Sequence, residues 1–160
     1  LAAEAMEDMA RRHADRAVRS VFLYTREAHP GESYRHHTTM DDKRHHARAF
    51  RQHNSIEREI LLDDVAGTAH RAYGTLPNMT WIIGRGGVIY YKAAWTDVTD
   101  VEAALVATLD ALDRRTSEPI APFYAERLTW RVRDLEAFRR QLEIAGPQAV
   151  RDFFGRSADD

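Results

Sequence analysis

The chain is 160 residues long and 44% hydrophobic, which suits one domain with a real core, burying roughly 68–70% of its unfolded surface. With 30% charged residues and a formal net charge of −2, nothing points to nucleic acid or an anionic membrane, and no apolar run approaches the roughly 20 residues of a membrane span. There is no cysteine, which excludes disulfides and thiol catalysis by these residues; no signal peptide is visible, and a cytoplasmic location is expected.

Leu1 to Ala14 reads as a helix, because Ala2, Met6, Met9 and His13 recur at helical spacing while Glu4, Asp8 and Arg11 fall elsewhere. Val18 to Thr25 is mostly apolar and rich in β-formers, the pattern of a strand buried on both faces. It runs directly into Glu27-Ala28-His29, a carboxylate and an imidazole at the kind of strand end where chemistry sits in open α/β sheets. Pro30-Gly31 opens a polar loop through His36-His37. Thr38-x-x-Asp41 and Thr39-x-x-Asp42 are Asp-containing relatives of the capping box, and the helix they start carries Ala47 and Phe50 on its buried side and stops near Asn54. Ile56 to Asp63 is the next strand. Asp64 is expected to cap a short helix whose Val65, Ala69, Ala72 and Tyr73 form one stripe, with Gly74 as its stop.

Leu76-Pro77 leads into a strand from Met79 to Gly84, and a Pro in that place is where a cis bond would be purposeful. Arg85-Gly86-Gly87 turns the strand back into Val88 to Trp95 as a hairpin. Thr99-x-x-Glu102 is a capping box for a helix with Val101, Leu105, Leu109 and Leu112 along one face. Ser117 to Pro122 reads as a Pro-bearing linker. Beyond it Val132, Leu135, Phe138 and Leu142 predict a helix, Gly146-Pro147 breaks it, and a last short helix runs to Phe154. Alternating elements followed by an antiparallel hairpin imply a mixed sheet covered by helices on both faces.

The series Glu27-Ala28-His29-Pro30 after a strand, Asp63-Asp64, Tyr73, Leu76-Pro77, a Trp81-Ile82-Ile83 strand, Gly87, Tyr91-Lys92 and Trp95 resembles the iodothyronine deiodinases and their bacterial deiodinase-like relatives. The resemblance spans about Leu1 to Leu112. It implies an α/β thioredoxin-like three-layer sandwich, close to the peroxiredoxin and alkyl hydroperoxide reductase branch, over residues 1–116. Residues 117–160 would form a linker and helical extension that packs on the domain or mediates homodimer contacts. Family members place a cysteine or selenocysteine at the start of the first long helix, where a helix N-terminus stabilises the anion. The implied activity is reduction of a peroxide or reductive dehalogenation of a small molecule, with a thiol reductant regenerating the enzyme and no cofactor. Glu27 and His29 would assist with protons or substrate, and Tyr73, Leu76 and Pro77 would shape the substrate groove.

The chain departs from the family where the nucleophile and the central strand before it should stand. Two strand edges would then lose a ladder partner, at about 1–3 kcal/mol for each buried unpaired group, so the expectation is a fragment cut just before Leu1. The rival reading is a non-catalytic thioredoxin-like binding module that has lost its thiol; an upstream cysteine or selenocysteine codon would decide for the enzyme, and a Ser, Thr or Ala there for the module. Other features have plainer accounts. His36-His37, His45-His46 and His53 lack metal-motif spacing and read as structural or surface residues, so no metal is expected. Asp63-Asp64 reads as a cap before an acid/base pair. Glu126, Arg127, Arg131, Arg133, Arg139 and Arg140 read as a solvated helix surface.

Overall fold

The computed structural model describes residues 2–116, 122–128 and 134–155. They form a mixed α/β architecture. In chain order it comprises α1 (Ala2–Arg12), β1 (Val21–Tyr24), α2 (Met40–His53), β2 (Glu59–Leu62), α3 (Thr68–Tyr73), β3 (Thr80–Ile83), β4 (Ile89–Ala93), α4 (Val98–Arg114), β5 (Ala125–Arg127), α5 (Leu135–Ala145) and α6 (Pro147–Phe154). Two compact units interleave along the sequence. One comprises Leu1–Ser20, Asn54–Glu57 and Asn78–Trp130, the other Val21–His53, Arg58–Pro77 and Arg131–Asp160.

The first unit holds α1, α4 and an open sheet in the order β3-β4-β5. The expected hairpin forms, with Thr80 opposite Ala93 and Trp81 opposite Lys92 in antiparallel register. Its turn is a tight 3-10 turn over Arg85–Gly87, in which Gly86 and Gly87 both take positive φ. β4 gains an unforeseen parallel neighbour: Tyr91 pairs with Ala125 and Ala93 with Arg127. The residues read as a solvated helix surface thus begin, at Glu126 and Arg127, as an edge strand. Met6 and Met9 of α1 pack on Tyr91, Ala93 and Val101 to make the core. α4 starts earlier than expected, because Asp97 caps it by accepting from the Asp100 amide at 3.1 Å. That leaves Thr99 inside the helix and frees Glu102, which binds Arg12 at 2.6 Å and His13 at 2.9 Å. The buried face of α4 is Val101, Leu105, Thr108 and Ala111, with Leu109 and Leu112 only half-buried.

The second unit contains a separate two-stranded parallel sheet, β1 with β2, in which Val21 pairs with Glu59 and Tyr24 with Leu62. The expected single mixed sheet is two sheets among the described residues. β1 is not buried on both faces: its residues alternate exposed and half-buried, and Val21 and Leu23 stay over a third exposed. Phe22 and Tyr24 point to the face covered by Phe50 of α2, at ring separations of 5.7 and 5.8 Å. α2 is capped as expected: Thr39 Oγ1 accepts from the Asp42 amide at 3.1 Å, and the Asp42 carboxylate accepts from the Thr39 amide at 2.9 Å. α5 and α6 form a hairpin around Leu142, Ala145 and Ala149, with Tyr34 and Phe138 packed against them. Asp134 caps α5, and Pro147 opens α6. Val132 and the Ser117–Ala121 part of the linker lie outside the described residues. Among the described residues no helix is long and apolar enough to cross a membrane.

Candidate functional site

The carboxyl ends of β1 and β2 converge on a group of polar side chains in the second unit. β1 delivers Tyr24, and the loop after it carries Glu27 back so that the Tyr24 hydroxyl donates to Glu27 Oε1. The long loop from Thr25 to Thr39 then returns over the start of α2. It is anchored there by Asp42, which also accepts from the Thr38 amide and hydroxyl at 3.1 and 2.9 Å. His37, one residue before this anchor, is thereby held facing inward, and His46 meets it from the second turn of α2. His37 Nε2 and His46 Nδ1 are 3.0 Å apart, one donating to the other. Both lie near the same carboxylate oxygen, His46 at 3.5 Å and His37 at 3.7 Å from Glu27 Oε1. The His37 and His46 side chains are 4% and 9% exposed, and that of Glu27 20%, so a substrate atom could reach the group only past the carboxylate.

Burial and neighbours set the proton affinities. Desolvation lowers the His37 pKa, and His46 and Lys43 push the same way, against the opposing pull of Glu27. Burial, then the hydrogen bond to Glu27, pushes the Tyr24 phenol far above its ordinary range, so it stays protonated and a donor. The three ligand-type atoms of Glu27, His37 and His46 all lie within 4.8 Å of one another, which makes this the group able to hold a metal ion among the described residues.

The predicted pair separates. His29 turns from Glu27 toward the α5–α6 hairpin and stacks edge-on against Phe138 and Phe153, with centroids 5.3 and 5.6 Å away. Desolvation by those rings lowers its pKa. The loop is pressed onto the hairpin beside it: Ser33 donates to the Ala145 carbonyl at 2.9 Å, and Glu32 accepts from the Gln148 amide at 2.8 Å.

Tyr73, Leu76 and Pro77 are exposed at and beyond the end of α3. The Leu76 carbonyl meets His70 Nε2 at 3.3 Å, and the Leu76-Pro77 bond is trans, the ordinary state even for a proline peptide. A cleft of about 370 Å³ does open at the same strand ends, but it is lined by Thr25, Arg26, Gly67, His70, Arg71 and Thr75, among others, and not by the three predicted residues. Its floor is fixed by Asp63 rather than by Asp64 alone. The buried Asp63 carboxylate accepts from the amides of Asp64, Ala69 and His70, each at 2.9 Å, while Asp64 accepts from the Thr68 amide at 2.9 Å. Val65 accordingly sits before α3, exposed, and not in a helical stripe. Lys43 closes the network from α2, donating to the Asp63 and Asp64 carbonyls at 3.1 and 2.7 Å.

Sequence reasoning missed His37 and His46 as partners. They are nine residues apart and on different elements, so helical spacing could not join them; the usable signal was the cap at Thr39, which fixes where the loop must turn. Comparison with family models, with curated proteins and with solved structures finds no match to this chain.

Proposed function

We propose that this chain is the α/β scaffold of a thiol- or selenol-dependent oxidoreductase of deiodinase-like type, acting on a peroxide or on a carbon–halogen bond. The observation that carries the reading is the Glu27 carboxylate just past the end of β1, half-buried beside Tyr24, His37 and His46. Both reactions need what that group supplies. When a thiolate or selenolate takes the halogen, the carbon keeps the bonding electrons and must receive a proton; when it attacks a peroxide, the leaving oxygen must be protonated. The hydrogen-bonded imidazoles of His37 and His46, beside the Glu27 carboxylate, are the kind of side chain that carries a proton in such steps. One thiol of the reductant then displaces halide or water from the oxidised sulfur or selenium to form a mixed disulfide or selenenyl sulfide, and a second thiol attacks that bond, leaving as the reductant's disulfide and returning the attacking group to its reduced form.

The attacking atom is not among these 160 residues, which contain no cysteine. That same observation favours a second reading, a thioredoxin-like module that binds its ligand without turnover. The test is an assay of thiol-dependent peroxide consumption and halide release by the protein expressed from its complete reading frame. Turnover that falls about 10²–10⁴-fold in Glu27→Gln, with an unchanged circular dichroism spectrum, supports the enzyme. No turnover on either substrate class, together with Ser, Thr or Ala at the nucleophile position, leaves the binding module.

A further inference from the structure

We propose that Glu27, His37 and His46 form a binding site for one divalent transition-metal ion of the zinc class, with three protein ligands and an open fourth position. The three donor atoms are separated by 3.0, 3.5 and 3.7 Å. A triangle with those sides has a circumradius of about 2.0 Å, so a point about 0.5 Å off its plane lies 2.0–2.1 Å from all three, the length of zinc bonds to imidazole nitrogen and carboxylate oxygen. A tetrahedral ion with such bonds needs ligand atoms about 3.3–3.4 Å apart, the middle of the observed spread.

Hydrogen bonding explains the group less well. It accounts for the contact between the two imidazoles. The Tyr24 hydroxyl takes one lone pair of Glu27 Oε1, but no hydrogen bond accounts for that oxygen's place beside the imidazoles, 3.5 and 3.7 Å from nitrogens that a charge-assisted hydrogen bond would hold at about 2.7–2.9 Å. The spacing is too long for a shared proton and right for a shared cation.

The chemistry of the donor set agrees. Two imidazoles, borderline nitrogen ligands, make up most of the set and favour zinc and its first-row neighbours over calcium or magnesium, which take all-oxygen sites; the single carboxylate is compatible with zinc. Each donor is held from behind. The Tyr24 hydroxyl donates to Glu27 Oε1, which has a second lone pair for the ion, and so orients the carboxylate as outer-shell groups do. The Tyr34 ring packs edge-on against His46 at 5.2 Å, and the Thr39 cap fixes the loop bearing His37. The nearby Lys43 charge is drawn off to the Asp63 and Asp64 carbonyls. The ligands come from β1's loop, the loop before α2 and α2 itself, so the site forms only when the second unit folds.

The site is independent of the redox reading in its test, because it is read by bound metal and not by turnover. Where the two meet, an ion and a relayed proton compete for the same lone pairs, so zinc would suppress the turnover proposed above. Untagged protein is stripped with a chelator, titrated with zinc chloride by calorimetry, dialysed, and its metal counted by mass spectrometry. One zinc per chain is expected. His37→Gln and His46→Gln should each weaken binding by about 100-fold or more, Tyr24→Phe by about 10-fold, as loss of an outer-shell partner does. His36→Gln and His53→Gln should bind like the parent. Retention of less than stoichiometric zinc by the parent overturns the site, as does equal retention by the His37→Gln/His46→Gln double variant. Should that variant fail to fold, the visible spectrum of the parent loaded with cobalt(II) decides: intense four-coordinate bands support the site, and the weak spectrum of the hydrated ion overturns it.

Discussion

Replacing Asp63 by alanine tests how the strand-end cleft is built. The carboxylate is 4% exposed and serves three amides, Oδ1 taking those of Asp64 and Ala69 and Oδ2 that of His70. Alanine leaves all three without an acceptor. The His70 amide is buried and loses the full desolvation penalty of about 1–3 kcal/mol, while the other two are partly within reach of water and cost less each, for a total of about 3–5 kcal/mol. Asparagine keeps one oxygen but turns an NH2 toward the remaining donors, so Asp63→Asn should cost about 1–3 kcal/mol. The predicted order is alanine worse than asparagine, read by urea denaturation followed by circular dichroism. Hydrogen exchange should place the loss at the Ala69 and His70 amides, with the first unit's hairpin unchanged. An alanine variant within about 0.5 kcal/mol of the parent, the ordinary range for surface changes, would refute the reasoning, because it would mean that the capping falls to Asp64 after all.

Two further outcomes follow from the same coordinates. A Cβ at Gly31 would lie 2.3 Å from the Ala145 carbonyl oxygen, so Gly31→Ala should lift the loop off α5 at about 1–3 kcal/mol; the ring-current shifts that Phe138 and Phe153 impose on the His29 protons should vanish, and their persistence would contradict the docking described here. Glu102 is held down to about 2 by its hydrogen bonds to Arg12 and His13, against an ordinary 4.5. A depressed carboxylate stabilises the fold fully above its ordinary value and loses that contribution as pH falls toward 2. Acid titration by near-ultraviolet circular dichroism should therefore show a slope between about pH 4.5 and 2 that Glu102→Gln lacks.

The elements legible in the sequence are those whose determinants are local. The Thr39/Asp42 cap, Pro147 at the head of α6, Gly74 after α3 and the Gly86-Gly87 turn each act within a few residues, and each stands where expected. The misplacements arise where two local signals compete and packing chooses. Asp97 and Thr99 could both cap α4; Glu102 goes to Arg12 and His13 of the α1 region, a partner 90 residues away for Arg12, and the helix starts at Asp97's signal. Asp63 and Asp64 could both cap α3; the one at the strand end is buried and takes the larger share. β5 and the division into two sheets depend on pairings between distant segments, for which an apolar run carries no address.

The candidate site illustrates the same limit at the level of single side chains. Residues two apart share a face only while the chain remains a strand, and β1 ends at Tyr24. Beyond it the backbone turns, so Glu27 swings back to its own strand's Tyr24 while His29 passes to Phe138 and Phe153. Glu27, just past the end of β1, is placed by a contact within its own strand's reach, the Tyr24 hydroxyl. Its histidine partners were not legible, because His37 and His46 are joined by a loop and a helix start rather than by a repeat. Once the Thr39 cap fixes where α2 begins, His46 falls on the same side as Ala47 and Phe50, the face turned to β1. The residue just before the anchored Thr38 must then cross the top of that face. A histidine in both places is what turns a lone strand-end carboxylate into a three-ligand group, and substitution of either removes the second imidazole without disturbing the cap that set the geometry.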